Sequence, residues 1–193
     1  MAQSPQLPRP LGVTYAVCNT GPLISAFQSN SYFLFTRIFA EIHISMACVA
    51  ELKKHGWDEL VQAAEKLVVV ELKADEQNHA LEIAEQIAEH PDTNDPAVEN
   101  HLGEAQAIVL ALRPEHENDL LLLDELAARA IAKKLGIKFS GFPGVLLLAT
   151  QGGMISANDL KLRLEDCRKQ GTHYSAAFIQ QVYLMAQTGR KVK

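Results

Sequence analysis

Residues 120–140 read LLLLDELAARAIAKKLGIKFS, and this stretch decides the fold. Four consecutive leucines end at Asp124, a helical pattern follows and stops at Gly136, and a second short apolar run occupies residues 137–140. An apolar run without alternation is typical of a strand that is covered on both faces, as the strands of a parallel sheet are. The stretch therefore predicts a strand, a helix and a second strand of an α/β domain.

The rest of the chain repeats this alternation. Three further apolar runs have the length of a strand: residues 13–18, 42–45 and 67–72. Between the runs, apolar residues recur at helical spacing, for example in residues 80–88. These patterns predict a doubly wound parallel sheet of four to five strands with helices on both faces. They also predict a surface loop at residues 90–101 and two helices in residues 156–187.

Length and composition indicate one globular domain. We predict a flexible N-terminal tail at residues 1–12, a single domain at residues 13–187 and a basic C-terminal tail at residues 188–193. The formal charge of −5 excludes a global basic field, so contact with RNA needs a local patch or a bound metal. No segment has the roughly 20 apolar residues of a membrane span. Three scattered cysteines indicate reduced thiols, and we therefore expect a cytoplasmic protein that does not contact membranes.

Polar side chains stand where two of the apolar runs end. Asn19 directly follows the first run, and Asp124 directly follows the run of leucines. Open α/β sheets bind their ligands at the carboxyl ends of the strands, so both residues lie at the expected ligand site. An aspartate at the position of Asp124 is also a good helix N-cap, and the sequence leaves that alternative open.

Two glutamates are further candidates. Glu104 lies in the first turn of a helix and shares a side with Ile108 and Ala111, which face inward. An acid that points toward a sheet needs a partner or a cation, because an unpaired buried charge is costly. The helix dipole favours an acid at this position even without a function. Glu51 lies late in a short helix beside two lysines and, taken alone, has the character of a surface residue.

Taken together, these residues suggest a metal site. Carboxylates that converge at one sheet edge repel each other unless a divalent cation lies between them, and Mg²⁺ and Mn²⁺ prefer such oxygen ligands. A site of this kind can assist phosphodiester cleavage. No other catalytic motif competes, because the GFPG turn at residues 141–144 lacks the lysine of a P-loop and the seven histidines lack HExxH spacing.

Four segments carry a resemblance to a known family: AVCNTGPLISAF (16–27), IHISMACVAELKKHG (42–56), LGEAQAIVLAL (102–112) and LLLDELAARAIAKKLGIKFSGFPGVLLLATQGGMI (121–155). They resemble the PIN-domain family, and in particular the PIN-like group related to VapC-type toxin ribonucleases. The resemblance spans residues 13–187. It implies a three-layer α/β/α sandwich whose parallel sheet has the strand order 3-2-1-4-5, so that Asn19 would lie next to Asp124.

The resemblance also implies the roles of individual residues. It assigns four metal ligands: Asn19, Glu51, Glu104 and Asp124. It assigns catalysis to the three acids of that set. It assigns supporting roles to three neighbours: Thr20, which would anchor the first loop or else cap a helix; Glu125, a second acid that would back up the site; and Arg129, which would pair with an acid or contact phosphate.

One residue departs from the pattern of the family. PIN nucleases usually have aspartate where this chain has Asn19. An amide oxygen still binds a hard cation, but it brings no charge, so we expect weaker Mg²⁺ binding or a preference for Mn²⁺.

Two functions follow from the resemblance. The first is a metal-dependent ribonuclease that hydrolyses single-stranded RNA with Mg²⁺ or Mn²⁺, at a site that Asn19 weakens, in the role of the toxin of a toxin–antitoxin pair. The second is a catalytically inactive PIN-like module that acts through protein or RNA partners. The implied partners are RNA, an antitoxin protein and a second copy of the chain in a homodimer.

Overall fold

The structure of the protein is a computed structural model that describes residues 14–189. Five strands form one parallel sheet: β1 (Ala16–Cys18), β2 (Ile42–Ser45), β3 (Leu67–Val70), β4 (Leu120–Leu122) and β5 (Phe139–Ser140). Their order in the sheet is β3-β2-β1-β4-β5. The helices of the described residues are α1 (Thr20–Gln28), α2 (Tyr32–Ile38), α3 (Met46–Lys54), α4 (Asp58–Ala63), α5 (Ala74–Ala88), α6 (Leu102–Ala111), α7 (Leu126–Lys134), α8 (Phe142–Gln151), α9 (Ala157–Lys169) and α10 (Ala176–Thr188).

The sheet separates two hydrophobic cores. Cys18 and Leu122 belong to the core on one face, together with residues of α1, α2, α8, α9 and α10. Val17 and Leu121 belong to the core on the other face, together with residues of α5, α6 and α7. Successive side chains of a strand point to opposite faces, so a strand between two cores must be apolar at every position. The predicted three-layer α/β/α sandwich with a parallel sheet is confirmed.

The register of the sheet brings the ends of β1 and β4 side by side. Cys18 is paired with Leu122. The backbone N–H of Asn19 donates a hydrogen bond to the carbonyl of Leu122 over 2.9 Å. β2 lies on the other side of β1, so α1, α3 and α7 all begin at the same edge of the sheet. This edge is the carboxyl edge at which we expected a ligand site.

Several boundaries differ from those that the sequence predicts. β3 ends at Val70 and not at residue 72, and β5 contains only two residues. The predicted loop at residues 90–101 ends in a short 3₁₀ helix, Val98–His101. His101, the last residue of that helix, is buried, and its Nε2 lies 2.7 Å from the backbone oxygen of Asp95.

The C-terminal part contains the two helices that the sequence predicts, α9 and α10. α10 ends at Thr188, and Gly189 has a φ of 64°, a left-handed conformation that suits glycine at the end of a helix. The predicted tail at residues 1–12, the start of the first apolar run at residue 13 and residues 190–193 of the predicted basic tail lie outside the described residues.

Candidate functional site

Asn19 stands at the centre of the carboxyl edge. It follows β1, precedes α1 and is only 3% exposed. Its side-chain Nδ2 donates a hydrogen bond to Glu104 Oε1 over 2.9 Å. Its Oδ1 accepts a weaker one from Cys48 Sγ over 3.3 Å. The amide is therefore held at both ends, and its N–H group faces a carboxylate.

Thr20 and Glu51 form the second contact of the site. The hydroxyl of Thr20 donates to Glu51 Oε2 over 2.7 Å, so this side chain holds an acid of the site. Glu51 reaches the edge because α3 begins directly after β2, where the Ser45 hydroxyl caps the helix by accepting from the N–H of Cys48. The sequence alone gave Glu51 the character of a surface residue, and the structure instead places it against Thr20.

Glu104 is the acid with the least satisfied carboxylate. Its Oε1 accepts from Asn19, whereas its Oε2 is buried and has no hydrogen-bond partner among the described residues. Burial raises the pKa of Glu104, and the nearby Glu51 carboxylate raises it further, while the Asn19 amide opposes the shift. A buried carboxylate oxygen without a partner is costly, and it is open to a cation or a proton.

Asp124 lies at the same edge and has partners of its own. Its Oδ1 accepts from the N–H of Phe142 over 3.2 Å and lies 3.4 Å from the guanidinium of Arg129. Burial raises the pKa of Asp124 to about 6, although Arg129 and the Phe142 N–H both act to lower it. Gly141 permits this arrangement, since a Cβ at that position would overlap both Asp124 Oδ1 and the Arg129 guanidinium.

The two residues near Asp124 have defined structural contacts. Glu125, and not Asp124, is the N-cap of α7, because its carboxylate accepts from the backbone N–H groups of Ala127 and Ala128. Arg129 donates through Nε to the carbonyl of Leu123 over 2.7 Å in addition to its ion pair with Asp124. The pairing of Arg129 with an acid agrees with one of its two predicted roles.

The three predicted catalytic acids have different partners within the chain. Within residues 14–189, no set of three or more His, Cys, Asp and Glu side chains is arranged to hold a metal ion. The backbone of α8 and Arg129 contact the carboxylate of Asp124, whereas Thr20 and Asn19 contact those of Glu51 and Glu104. A shared metal site of Glu51, Glu104 and Asp124 stays a prediction.

A smaller set nevertheless suits a divalent cation. Asn19, Glu51 and Glu104 offer amide and carboxylate oxygens, the donors that Mg²⁺ and Mn²⁺ prefer. The absence of a side chain at Gly103 lets these groups approach one another closely. A Cβ on Gly103 would lie 3.1 Å from Glu51 Oε2 and 3.3 Å from Asn19 Oδ1, so both oxygens border the space that its missing side chain leaves. The unpartnered Oε2 of Glu104 is a third oxygen that lacks a counter-charge.

Two residues of the site were not identified from the sequence. Gly103 directly precedes Glu104, and a glycine in the first turn of a buried helix is the signal that indicates close approach of other groups. Cys48 is buried, and its thiol contacts Asn19 Oδ1 and the Gly103 carbonyl. Burial raises the pKa of Cys48 to about 11, so the thiol is neutral and acts here as a weak donor. Nothing in the spacing of the cysteines indicates this contact.

The fold and the edge define a class of protein: a three-layer α/β/α domain with acids at the carboxyl ends of its central strands. The family model DUF3368, described as a PIN domain, matches residues 15–188. The chain therefore belongs to the PIN-domain family, whose fold is of the nuclease type. No curated protein and no solved structure matches the sequence. None of the helices described is both long and apolar enough to cross a membrane.

Proposed function

We propose that the protein is a divalent-metal-dependent ribonuclease that hydrolyses single-stranded RNA and binds its metal weakly. The observation that carries the proposal is the convergence of Asn19, Glu51 and Glu104 around a buried carboxylate oxygen without a partner. Membership of the PIN-domain family supports a nuclease in general.

The side chains of the edge have separate tasks in this proposal. Asn19, Glu51 and Glu104 would hold the cation, which would supply an activated water and stabilise the leaving oxygen of a phosphodiester. Thr20 fixes the orientation of Glu51 through its hydrogen bond. Asp124 would be the fourth ligand through Oδ2, since Phe142 N–H and Arg129 both contact Oδ1, and Arg129 would be a cation near the phosphate.

Asn19 sets the strength of the site. An aspartate would add a negative charge at this position, whereas the amide donates a hydrogen bond to Glu104. The amide thus partly satisfies the carboxylate that a cation would otherwise neutralise. We expect Mg²⁺ to bind weakly and Mn²⁺ to bind better, because Mn²⁺ is the less reluctant of the two to exchange water for protein ligands.

One observation favours a second function, a PIN-like module without catalysis. One oxygen of Asp124, Oδ1, already contacts Arg129 and the N–H of Phe142, and within the described residues no three His, Cys, Asp or Glu side chains are arranged to hold a metal ion. A protein that only binds RNA or another protein needs no cation at this edge.

Further roles stay proposals that depend on the first. A ribonuclease of this size is suited to act as the toxin of a toxin–antitoxin pair in the cytoplasm, with an antitoxin protein as inhibitor and a homodimer as the assembly. Exposed apolar side chains on the C-terminal helices, Leu162 on α9 and Leu184 on α10, are compatible with a second copy of the chain.

Metal titration and RNA cleavage test the proposal together. Isothermal titration should show Mn²⁺ binding to the wild type, a loss of binding in Glu104→Gln and a weaker effect in Asp124→Asn, with circular dichroism as the control for folding. Labelled single-stranded RNA should be cut in Mn²⁺, and EDTA or Glu104→Gln should stop the cleavage. Cleavage that survives both treatments would refute this mechanism. Absence of both binding and cleavage in the wild type and in Asn19→Asp would favour the module without catalysis.

A further inference from the structure

A cleft of about 580 Å³ opens beside the candidate metal ligands. One wall is the end of α3, with Glu51, Lys54 and His55, and the other wall is the segment at residues 95–103. The volume lies within the range of about 300–1,000 Å³ that small-molecule sites occupy.

The cleft shares two residues with the candidate metal site. Glu51 and Gly103 line the cleft, and Glu51 Oε2 and Asn19 Oδ1 both approach Gly103 closely. Glu51 is thus a wall of the cleft and a neighbour of Asn19. A nucleotide whose phosphate lies at the acids would therefore place a neighbouring nucleoside in the cleft.

The wall formed by α3 carries an exposed lysine in addition to Glu51. Lys54 and His55 are exposed on the wall of α3, and Lys54 has no ion pair within residues 14–189. A lysine there suits the phosphate or ribose of a bound strand, and an imidazole is one of the rings that stack on unpaired bases. This wall therefore suits the sugar–phosphate backbone and the ring face of a base.

The opposite wall presents one available carboxylate. Asp95 is used internally, since its two carboxylate oxygens accept from the N–H of Ala97 over 2.9 Å and from Asn100 Nδ2 over 2.8 Å. Glu99 is exposed, and no hydrogen bond or ion pair engages its carboxylate among the described residues. A carboxylate offers two acceptor oxygens and repels phosphate, so Glu99 suits the N–H edge of a base.

We infer that this cleft binds a guanine nucleoside of single-stranded RNA next to the phosphate that is cleaved, with Glu99 on the base and Lys54 on the backbone. Guanine presents two adjacent donors, N1–H and N2–H, to a two-oxygen acceptor. Adenine, cytosine and uracil each place an acceptor beside their donor on this edge, so a carboxylate pairs with them less well. The inference depends on the proposed function, because it names the substrate of that same site.

The experiment uses 12-nucleotide uridine strands that carry a single central G, A, C or U. Cleavage of each strand in Mn²⁺ is followed on sequencing gels, and binding is followed by fluorescence anisotropy in EDTA at a fixed salt concentration. The variants are Glu99→Gln and, as a matched control, Glu117→Gln, an exposed glutamate that precedes β4 at the opposite edge of the sheet. We expect cleavage beside G and binding of the G strand to exceed those of the other strands by about tenfold, the discrimination of one bidentate pair.

Glu99→Gln should reduce this preference to below about twofold, because its amide N–H group opposes the donors of guanine, while Glu117→Gln should retain it. Equal cleavage and equal binding of the four strands by the wild type would overturn the inference and leave the proposed nuclease intact. If no strand is cleaved, the proposed function fails. The anisotropy data then test guanine binding in the cleft separately. Preferred binding of the G strand that Glu99→Gln abolishes supports guanine binding by the cleft, and equal binding of the four strands refutes it.

Discussion

Replacing Asn19 with aspartate should make the protein less stable without metal and more responsive to metal. The Nδ2 atom of Asn19 donates to Glu104 Oε1 over 2.9 Å, and the carboxylate of an aspartate cannot make that bond. Asn19→Asp also adds a third negative charge next to Glu104 and Glu51. Both effects act on the folded state, where these groups are held together.

The structure gives the size of the effect. A hydrogen bond to a charged acceptor contributes about 1.5–3 kcal/mol. Like charges about 4 Å apart repel by up to about 4 kcal/mol at an effective dielectric constant of 20. Proton uptake by one of the acids relieves part of this repulsion. We therefore expect the free energy of unfolding to fall by about 2–4 kcal/mol in EDTA at pH 8.

Divalent cations should stabilise Asn19→Asp more than they stabilise the wild type. A ligand at 100 times its dissociation constant stabilises the folded state by about 2.7 kcal/mol. Asn19→Asp should recover most of its deficit in Mn²⁺, whereas the wild type should gain little at the same concentration. Urea unfolding followed by circular dichroism measures the free energy of unfolding of each protein, in EDTA and in about 1–10 mM Mn²⁺.

The control is Asn158→Asp, which adds the same charge at an exposed position in the first turn of α9. Its stability should change by no more than about 0.5 kcal/mol, and Mn²⁺ should not alter it. If Asn19→Asp is as stable as the wild type in EDTA, the hydrogen bond from Asn19 to Glu104 does not contribute the stability expected of it. Equal stabilisation of both proteins by Mn²⁺ would refute the argument that the amide limits metal binding.

Three further predictions concern the surroundings of the site. Glu125→Ala should lower the free energy of unfolding by about 1 kcal/mol in urea titrations and leave Mn²⁺ binding unchanged; reduced Mn²⁺ binding would show that Glu125 is a ligand. Gly141→Ala should cost about 1–3 kcal/mol by the same measurement, because its Cβ overlaps the ion pair of Asp124, and an unaltered stability would contradict that overlap. His116 is buried, and its Nδ1 lies 2.8 Å from Asp119 Oδ2. Burial lowers the pKa of His116 below the value of about 6.5 that it has in the unfolded chain, and the nearby His43 lowers it further. The imidazole therefore stays neutral in the folded protein at a pH at which it is already protonated in the unfolded chain. The contribution of His116 to the free energy of unfolding is therefore full above pH 6.5 and declines as the pH falls below that value. Between pH 7.5 and about 5.5, urea titrations should show a smaller loss of unfolding free energy in His116→Gln than in the wild type.

The architecture was predictable because burial on both faces of a sheet leaves a clear pattern. A parallel strand between two helical layers must be apolar at every position, and the leucines of β4 satisfy that condition. The ends of elements were less predictable. Residues 71 and 72 continue the apolar run of β3 in part, yet the chain leaves the sheet there to begin α5, and a local pattern does not encode that departure.

The positions of the site residues were predictable only as far as topology determines them. Asn19 and Asp124 lie at the ends of neighbouring strands, as the strand order requires. The direction of a side chain depends on partners that are distant in sequence. Asp124 faces α8 because the N–H of Phe142, 18 residues later, donates to it, and no spacing around Asp124 indicates this bond.

The same partners are what a cation at this edge would have to displace. Thr20 donates to Glu51, Asn19 donates to Glu104, and Arg129 pairs with Asp124, so each carboxylate has at least one donor that belongs to the chain. Among the described residues, one buried carboxylate oxygen of this set, Glu104 Oε2, has no hydrogen-bond partner. A cation that binds here must compete with these donors, and its net affinity is the difference between its own attraction and the bonds that it displaces. Asn19 lowers that difference twice, because it removes a charge from the ligand set and supplies the hydrogen bond that the cation must replace.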